Sequence, residues 1–513
     1  MRRCVEMNEK KILKSVGVVF IILVLAKITA FLNDAILAAS IGISADADAF
    51  YMVVGIQQVL YPMLSVGIWK VFLPEYKKNL VLYGEAKADA LANKMILFFT
   101  GISFAAAGLI YCFHDTIVSV CAPGLTGEVK ALCGELLQLS APLYVFIIVS
   151  AIYATMLQCH GKFFGSQIRE IASHIPTIIT ALFLYDKFGV SALVYGLVAG
   201  SIMRLLVELP FIDWGYRFEF VKIKFESSDL AMLKKIPEAL VTAGVEQVNI
   251  LVDKVMASTL MAGSISALNY SQKLMNVFSG LFGNAIGTAL YPQIVEFAAK
   301  KEYKKITGVL VQSIYLIGFM MIPITVGSMF FSETIIACVF QRGAFGTEAT
   351  QLTATTYRFY VIGLTFAGIK TILSNMLYSF GDTKSAMRVS ICTVLVNIIL
   401  NITLSPFLAA KGLALATSIA SIVNVVISFY FLKKYVPIPY KMVCIEIFKT
   451  LGCALLSCFI AAMCLQYIKL NNCYTDMAIA FFVCAIIYFI SMYTIKSESL
   501  HTSLTYIKKM LKR

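Results

Sequence analysis

The sequence predicts an all-α polytopic membrane protein of about 14 transmembrane helices in two pseudo-symmetric lobes. Three observations predict it. Of 513 residues, 59% are hydrophobic and only 14% charged, which leaves too little polar surface to face water on every side. Apolar runs approaching the roughly 20 residues that a spanning helix needs recur from one end of the chain to the other. The second half of the chain also repeats features of the first.

The runs fall, in order, at 14–42, 49–75, 92–113, 134–158, 166–186, 188–212, 236–261, 267–292, 306–332, 351–378, 385–408, 411–432, 443–468 and 476–495. Only Asp186 and Lys187 separate the fifth from the sixth. Basic residues followed by the apolar stretch 16–26 imitate a signal peptide, but the pattern runs on past Lys27 to Ile43. We read it as a retained first helix.

Loop charge tests the count. The net charge of +14 would suggest nucleic acid in a soluble protein, whereas here the basic residues sit in short loops between apolar runs. With the N-terminus inside, 30 Lys and Arg lie on inside segments, against five outside (Lys130, Lys187, Arg342, Lys411 and Lys469). That bias fits the positive-inside rule with both termini cytoplasmic, and no nucleic-acid partner is expected.

The repeat is seen in LNDAILAASIG at 32–42 and LVDKVMASTLM at 251–261. Asp34 aligns with Asp253 and Tyr51 with Tyr270 at one offset, and Pro74 with Pro292 after a one-residue slip. Both copies start inside, so the repeat is parallel. The expected organisation is an N-terminal lobe at 1–216, a basic linker at 217–235, the core of a C-terminal lobe at 236–434, and two further helices with a tail at 435–513.

Enzyme chemistry finds no support. The chain shows no P-loop, no nucleophile elbow and no paired His and carboxylate on one helix face. Thirteen Cys without a C-x-x-C, together with four His, read as packing residues rather than a redox or structural metal site. Ionisable residues inside spans are costly and usually face a cavity or a partner. Lys27 lies near the middle of the first span, two turns from Asp34 on the same face, and Lys273 lies in the eighth. A cavity role competes there with a buried ion pair that fixes helix packing. Asp48 opens the second span, where a solvated carboxylate favoured by the helix dipole is the alternative.

Several strings carry a family resemblance. NDAILAASIG with DADAFYM at 33–52, CAPGL at 121–125, SALNYSQKLMNVFSGLFGNAIGTALYPQ at 266–293, FQRGAFG at 340–346 and LYSFGDTKSAM at 377–387 resemble segments of the MurJ/MviN lipid II flippases. The likeness covers nearly the whole chain in order. It implies a V-shaped pair of lobes around a central hydrophilic cavity, alternating access, and a substrate of undecaprenyl diphosphate carrying a peptidoglycan precursor. It also implies a lipid-tail groove formed by the last two helices, and the chain is expected to act as a monomer among membrane lipids.

The resemblance further implies a substrate site at Lys27, Asn33, Asp34, Asp48 and Lys273. The family's cavity is lined by arginines; here Lys27, Asn33 and Lys273 stand at such positions, and the second-helix position near Pro62 and Met63 carries no charge. Lysine offers a point charge where arginine offers a bidentate fork. Some members bind sodium, which implies a site at Asp253, Asn397, Asn401, Leu413 (through its carbonyl) and Thr417, with an amide at Asn401 in place of a carboxylate. Oxygen ligands suit a hard cation, and interhelical hydrogen bonding is the alternative for these residues. Rival readings are a flippase for a teichoic-acid, capsule or O-antigen unit, a cation-coupled MATE-type drug exporter, and a membrane scaffold without transport.

Overall fold

A computed structural model describes residues 22, 24–221, 226–234, 236–467 and 472–511. The basic N-terminal arm, part of the 217–235 linker, Lys469 and the last two residues lie outside them. Every described element is a helix or a turn. They are α1 (Val24–Ile41), α2 (Ala45–Tyr83), α3 (Glu85–Cys121), α4 (Gly127–Ser140), α5 (Leu143–Cys159), α6 (Phe163–Phe183), α7 (Tyr185–Phe188), α8 (Ser191–Glu208), α9 (Ser227–Leu233) and α10 (Ile236–Ser258). There follow α11 (Ser264–Phe278), a π-helical stretch (Ser279–Asn284), α12 (Ala285–Ala299), α13 (Tyr303–Phe330), α14 (Ser332–Phe340), α15 (Thr347–Val361) and α16 (Leu364–Ser379). The last are α17 (Thr383–Leu408), α18 (Ala410–Leu432), α19 (Tyr440–Tyr467), α20 (Cys473–Thr494) and α21 (Glu498–Leu511).

The described residues of the predicted spans are mainly helical. By length and composition 8 helices can cross a membrane, or up to 10 when two bent pairs, α4 with α5 and α15 with α16, each count as one span. The helices are longer and the loops shorter than the apolar runs suggest. Lys77, Lys78, Lys87 and Lys94 are helical, and only Gly84, at φ 83, separates α2 from α3. Glycine meets that left-handed requirement without steric cost.

The repeat extends through the helices. The starts of α13, α15, α16, α17 and α18 fall 218–221 residues after those of α3, α4, α5, α6 and α8. Both bent pairs turn by 41°. At the end of α5, Lys162 N–H donates to Leu157 O at 2.8 Å; at the end of α16, Asp382 N–H donates to Leu377 O at 3.0 Å. Both turns hinge on a left-handed glycine, Gly161 and Gly381, and close the orphan carbonyls of a helix end.

The chain divides into two compact units at Ile265 and Ser266. In the first, α6 and α8 approach closely: a Cβ on Gly200 would stand 2.3 Å from Ser173 O. Its core joins Phe72, Tyr76, Met95, Ile152 and Met156. At one end of this core, His160 stacks on Trp214 with ring centroids 3.8 Å apart. Tyr76 Oη donates to Asp89 at 3.0 Å and lies 3.1 Å from His160 Nε2. Burial pushes Asp89 up and His160 down.

In the second unit, α13, α19 and α20 share a core of Ile322, Val326, Cys453, Cys458, Tyr488 and Met492. Buried Glu446 of α19 accepts from Ser499 N–H at 2.9 Å and from Ser497 Oγ, holding the start of α21. Asp382 caps α17 through Ser385 N–H at 3.1 Å and accepts from Tyr435 Oη at 2.9 Å. The Lys434 ammonium beside it holds its carboxyl well below the usual range. Phe448, Phe481, Phe482 and Tyr493 stay exposed on α19 and α20, an apolar surface suited to lipid.

Candidate functional site

The first unit carries four of the expected substrate residues. On α1, Lys27 is exposed and Asp34 half-buried. Asn33 is 7% exposed, and its Oδ1 is buried with no hydrogen bond among the described residues. Buried Asp48, in the first turns of α2, accepts the backbone N–H of Gly263 at 2.7 Å. Asp48 is therefore a built-in contact rather than a solvated helix-start carboxylate.

Two further contacts tie α10 into this unit. Lys254 is 4% exposed, and its Nζ donates to Tyr51 O at 2.9 Å. Its stem fills the notch at Gly55, where a Cβ would lie 2.5 Å from Lys254 Cδ. Gly124 of the CAPGL string donates to Ser258 Oγ at 3.3 Å, and a Cβ there would stand 2.1 Å from Ser258 O. A buried ammonium on a carbonyl keeps its charge satisfied away from water. Lys254 is assigned no role from the sequence. No spacing signal joins it to a glycine two hundred residues earlier. The side chains of Pro62 and Met63 lie outside the described residues.

The second unit carries Lys273, half-buried on α11, and most of the expected sodium ligands. Asn397 and Asn401 share a face of α17, with Asn401 Nδ2 donating to Asn397 Oδ1 at 3.1 Å. Asn397 Nδ2 donates to Thr417 Oγ1 at 3.3 Å, and Thr417 Oγ1 donates to Leu413 O at 3.1 Å. Four of the five expected ligands thus meet where α17 packs on α18, and both asparagines are buried. The oxygen-only donor set fits a hard cation, since either amide can turn its oxygen inward. Asp253, also buried, belongs to α10 of the first unit.

Buried polar contacts are thus distributed over the helices of both units. Comparison with known proteins decides the family. Residues 37–505 match the family model described as lipid II flippase MurJ. The chain belongs to the MurJ family of lipid II flippases. It is similar to a probable lipid II flippase MurJ of Buchnera aphidicola, 28% identical over 80% of this chain and 82% of that one. A probable lipid II flippase MurJ of Thermotoga maritima is 26% identical over 78% and 81%. Among solved structures, lipid II flippase MurJ in an inward closed conformation matches with TM-score 0.79 and 25% identity, covering 93% of this chain and 99% of that one. A MATE family multidrug transporter in its inward-facing conformation matches at TM-score 0.70 with 12% identity, over 80% and 94%. That likeness shows the fold alone.

Proposed function

We infer that this chain is a lipid II flippase, a transporter and not an enzyme, working as a multi-pass protein of the bacterial inner membrane. The match of the family model over 37–505 carries the reading. The MATE likeness, at 12% identity, gives no reason to prefer drug export.

The finer mechanism is our own proposal. Lys27 and Lys273 hold the diphosphate by charge, Asn33 and Asp34 supply hydrogen bonds, and Asp48 fastens one end of α2 while the lobes alternate. The polyprenyl tail stays in lipid beside α19 and α20. Asn397, Asn401, Thr417 and the Leu413 carbonyl would hold sodium, with Asp253 as the charged member, and the ion would bias one conformation. The chain works as a monomer with both termini cytoplasmic.

Complementation tests the function: the chain should rescue a strain depleted of its own lipid II flippase. Failure, with the protein folded and in the membrane, would favour a teichoic-acid, capsule or O-antigen precursor. Topology is tested by single cysteines. An impermeant thiol reagent added outside should label positions 128 and 348 and miss position 301; labelling at 301 would overturn the orientation.

A further inference from the structure

Two arginines and two glutamates meet in the first unit where α6 begins and α8 ends. Arg169 and Glu170 are adjacent on α6. Arg204 and Glu208 stand four residues apart on α8 and so share a face. Glu208 is completely buried. Its Oε1 receives one long contact, 3.5 Å from Arg169 Nη1, and its Oε2 has no hydrogen-bond partner among the described residues.

Both guanidiniums are engaged elsewhere. Arg204 Nη2 pairs with Glu170 Oε1, and Arg169 Nε lies 3.6 Å from the same oxygen. Arg169 Nη1 also donates to Ser150 O at 3.1 Å and to Ser150 Oγ at 3.3 Å, while Arg204 lies over the Tyr61 ring, 5.5 Å from its centroid. Glu170 therefore serves both arginines, whereas Glu208, sealed from water, meets only the long contact from Arg169 and the neighbouring Ser150 hydroxyl, and its second oxygen has no hydrogen bond among the described residues.

An ionised carboxylate in that position would leave a buried charge with one oxygen bare and only a long contact to Arg169 at the other, which is costly. A proton on Oε2 removes the charge. Glu170, the Ser150 carbonyl and the Tyr61 face hold the two arginines while Glu208 is neutral, and the buried Nε of each, without a hydrogen bond among the described residues, is available to the carboxylate once it forms. We propose that Glu208 is a proton-binding site, occupied in the arrangement seen here. When it releases its proton, the new carboxylate draws Arg169 and Arg204 off Glu170. The proton passes to water on the side where α6 begins and α8 ends, by way of Glu170, whose side chain is 39% exposed.

The groups that face Glu208 and its partners are Arg169, Glu170 and His174 on α6, Arg204 on α8, Ser150 and Tyr153 on α5, and Tyr61 on α2. The close contact at Gly200 keeps α6 and α8 in register, so the exchange re-pairs side chains rather than separating helices. The proposal reaches beyond lipid flipping: it names a proton as a second ligand, at a site apart from the expected substrate and sodium residues.

Infrared difference spectroscopy on the full chain in nanodiscs tests it without any substrate. The carbonyl band of a protonated, buried carboxyl should be present at mildly acidic pH, fade as pH is raised, vanish in Glu208→Gln and persist in Glu170→Gln. Glu208→Asp, which keeps the acid, should shift the band rather than abolish it, and this covers the case in which Glu208→Gln does not fold. In reconstituted vesicles, the flipping rate should change with the pH of the phase facing the start of α6, and Glu208→Gln should lose that dependence. A wild-type spectrum without the band, or a band that survives in Glu208→Gln, overturns the proposal.

Discussion

Asp48 accepts the backbone N–H of Gly263 at 2.7 Å, tying the first turns of α2 to the turn that follows α10. The contact is between a charged acceptor and a backbone donor, a class worth about 1.5–3 kcal/mol. Asp48→Ala should lower the unfolding free energy by that amount and reduce flipping sharply. Asp48→Asn keeps an acceptor oxygen and should lose less of both. Equal loss in the two variants would show that the charge, and not the hydrogen bond, is what matters.

Two glycines pack against α10 in different ways, so they should differ on substitution. Gly55→Ala meets the flexible stem of Lys254, which can move aside, whereas Gly124→Ala meets the backbone carbonyl of Ser258, which cannot. Overpacking of that second kind costs about 1–3 kcal/mol. Thermal unfolding of the two variants in detergent should therefore place Gly124→Ala clearly below Gly55→Ala. The reverse order would mean that Lys254, once displaced from Tyr51 O, leaves the larger deficit.

These contacts mark where sequence reading stops. The helices were legible because apolar runs of spanning length are unambiguous, and the repeat was legible through Asp34 and Asp253. Helix ends were not: charged residues at 77–94 continue α2 and α3 beyond their apolar parts, and charge reads as loop. Asn397 and Asn401 stand four residues apart and so share a face of one helix, but their meeting with Thr417 on the next helix was expected only through the family resemblance. Lys254 against Gly55, and the Arg169–Glu208 cluster, depend on which helices pack together. Spacing within one helix carries no such information.

His160 gives a pH-dependent signal. Its protonation is disfavoured by burial, so the unfolded chain takes up the proton first, near the ordinary value of about 6.5. The stability tied to neutral His160 is therefore complete above that value and is lost as pH falls through it toward the depressed folded value. Trp214 stacks on the ring and the chain has only one other tryptophan, Trp69. In Trp69→Phe, acidification should quench Trp214 emission with a midpoint below about 6.5, and His160→Gln should abolish that transition. Asp89→Asn is the control for the neighbouring carboxyl. A midpoint at or above the ordinary histidine value would mean that Asp89 outweighs burial.

The sodium reading is best checked by ligand-dependent stability. A cation bound only to the folded chain at a hundredfold its dissociation constant adds about 2.7 kcal/mol. Sodium should raise the melting temperature relative to potassium at equal ionic strength. Asn397→Ala and Thr417→Val should remove the difference. If Thr417→Val leaves the sodium effect intact, Asn397, Asn401 and Thr417 serve interhelical hydrogen bonding alone.

Lys27 bears most directly on transport. Its side chain is exposed on α1, among exposed Val24, Leu25 and Ile28. An ammonium that hydrocarbon surrounds costs about 2.5–3.5 kcal/mol on insertion scales, so a lysine in mid-span is retained where water or an anion meets it. Lys273, half-buried on α11, carries the second positive charge expected to hold the diphosphate. Lys27→Ala and Lys273→Ala should each abolish flipping while leaving a folded protein, measured as unchanged melting and membrane yield. Arginine at either position should be tolerated, because it keeps the positive charge and adds a bidentate donor. Raised stability in Lys27→Ala would fit a residue kept for function against a folding cost. Full flipping by the Lys27→Ala, Lys273→Ala double variant would show that the diphosphate is held elsewhere.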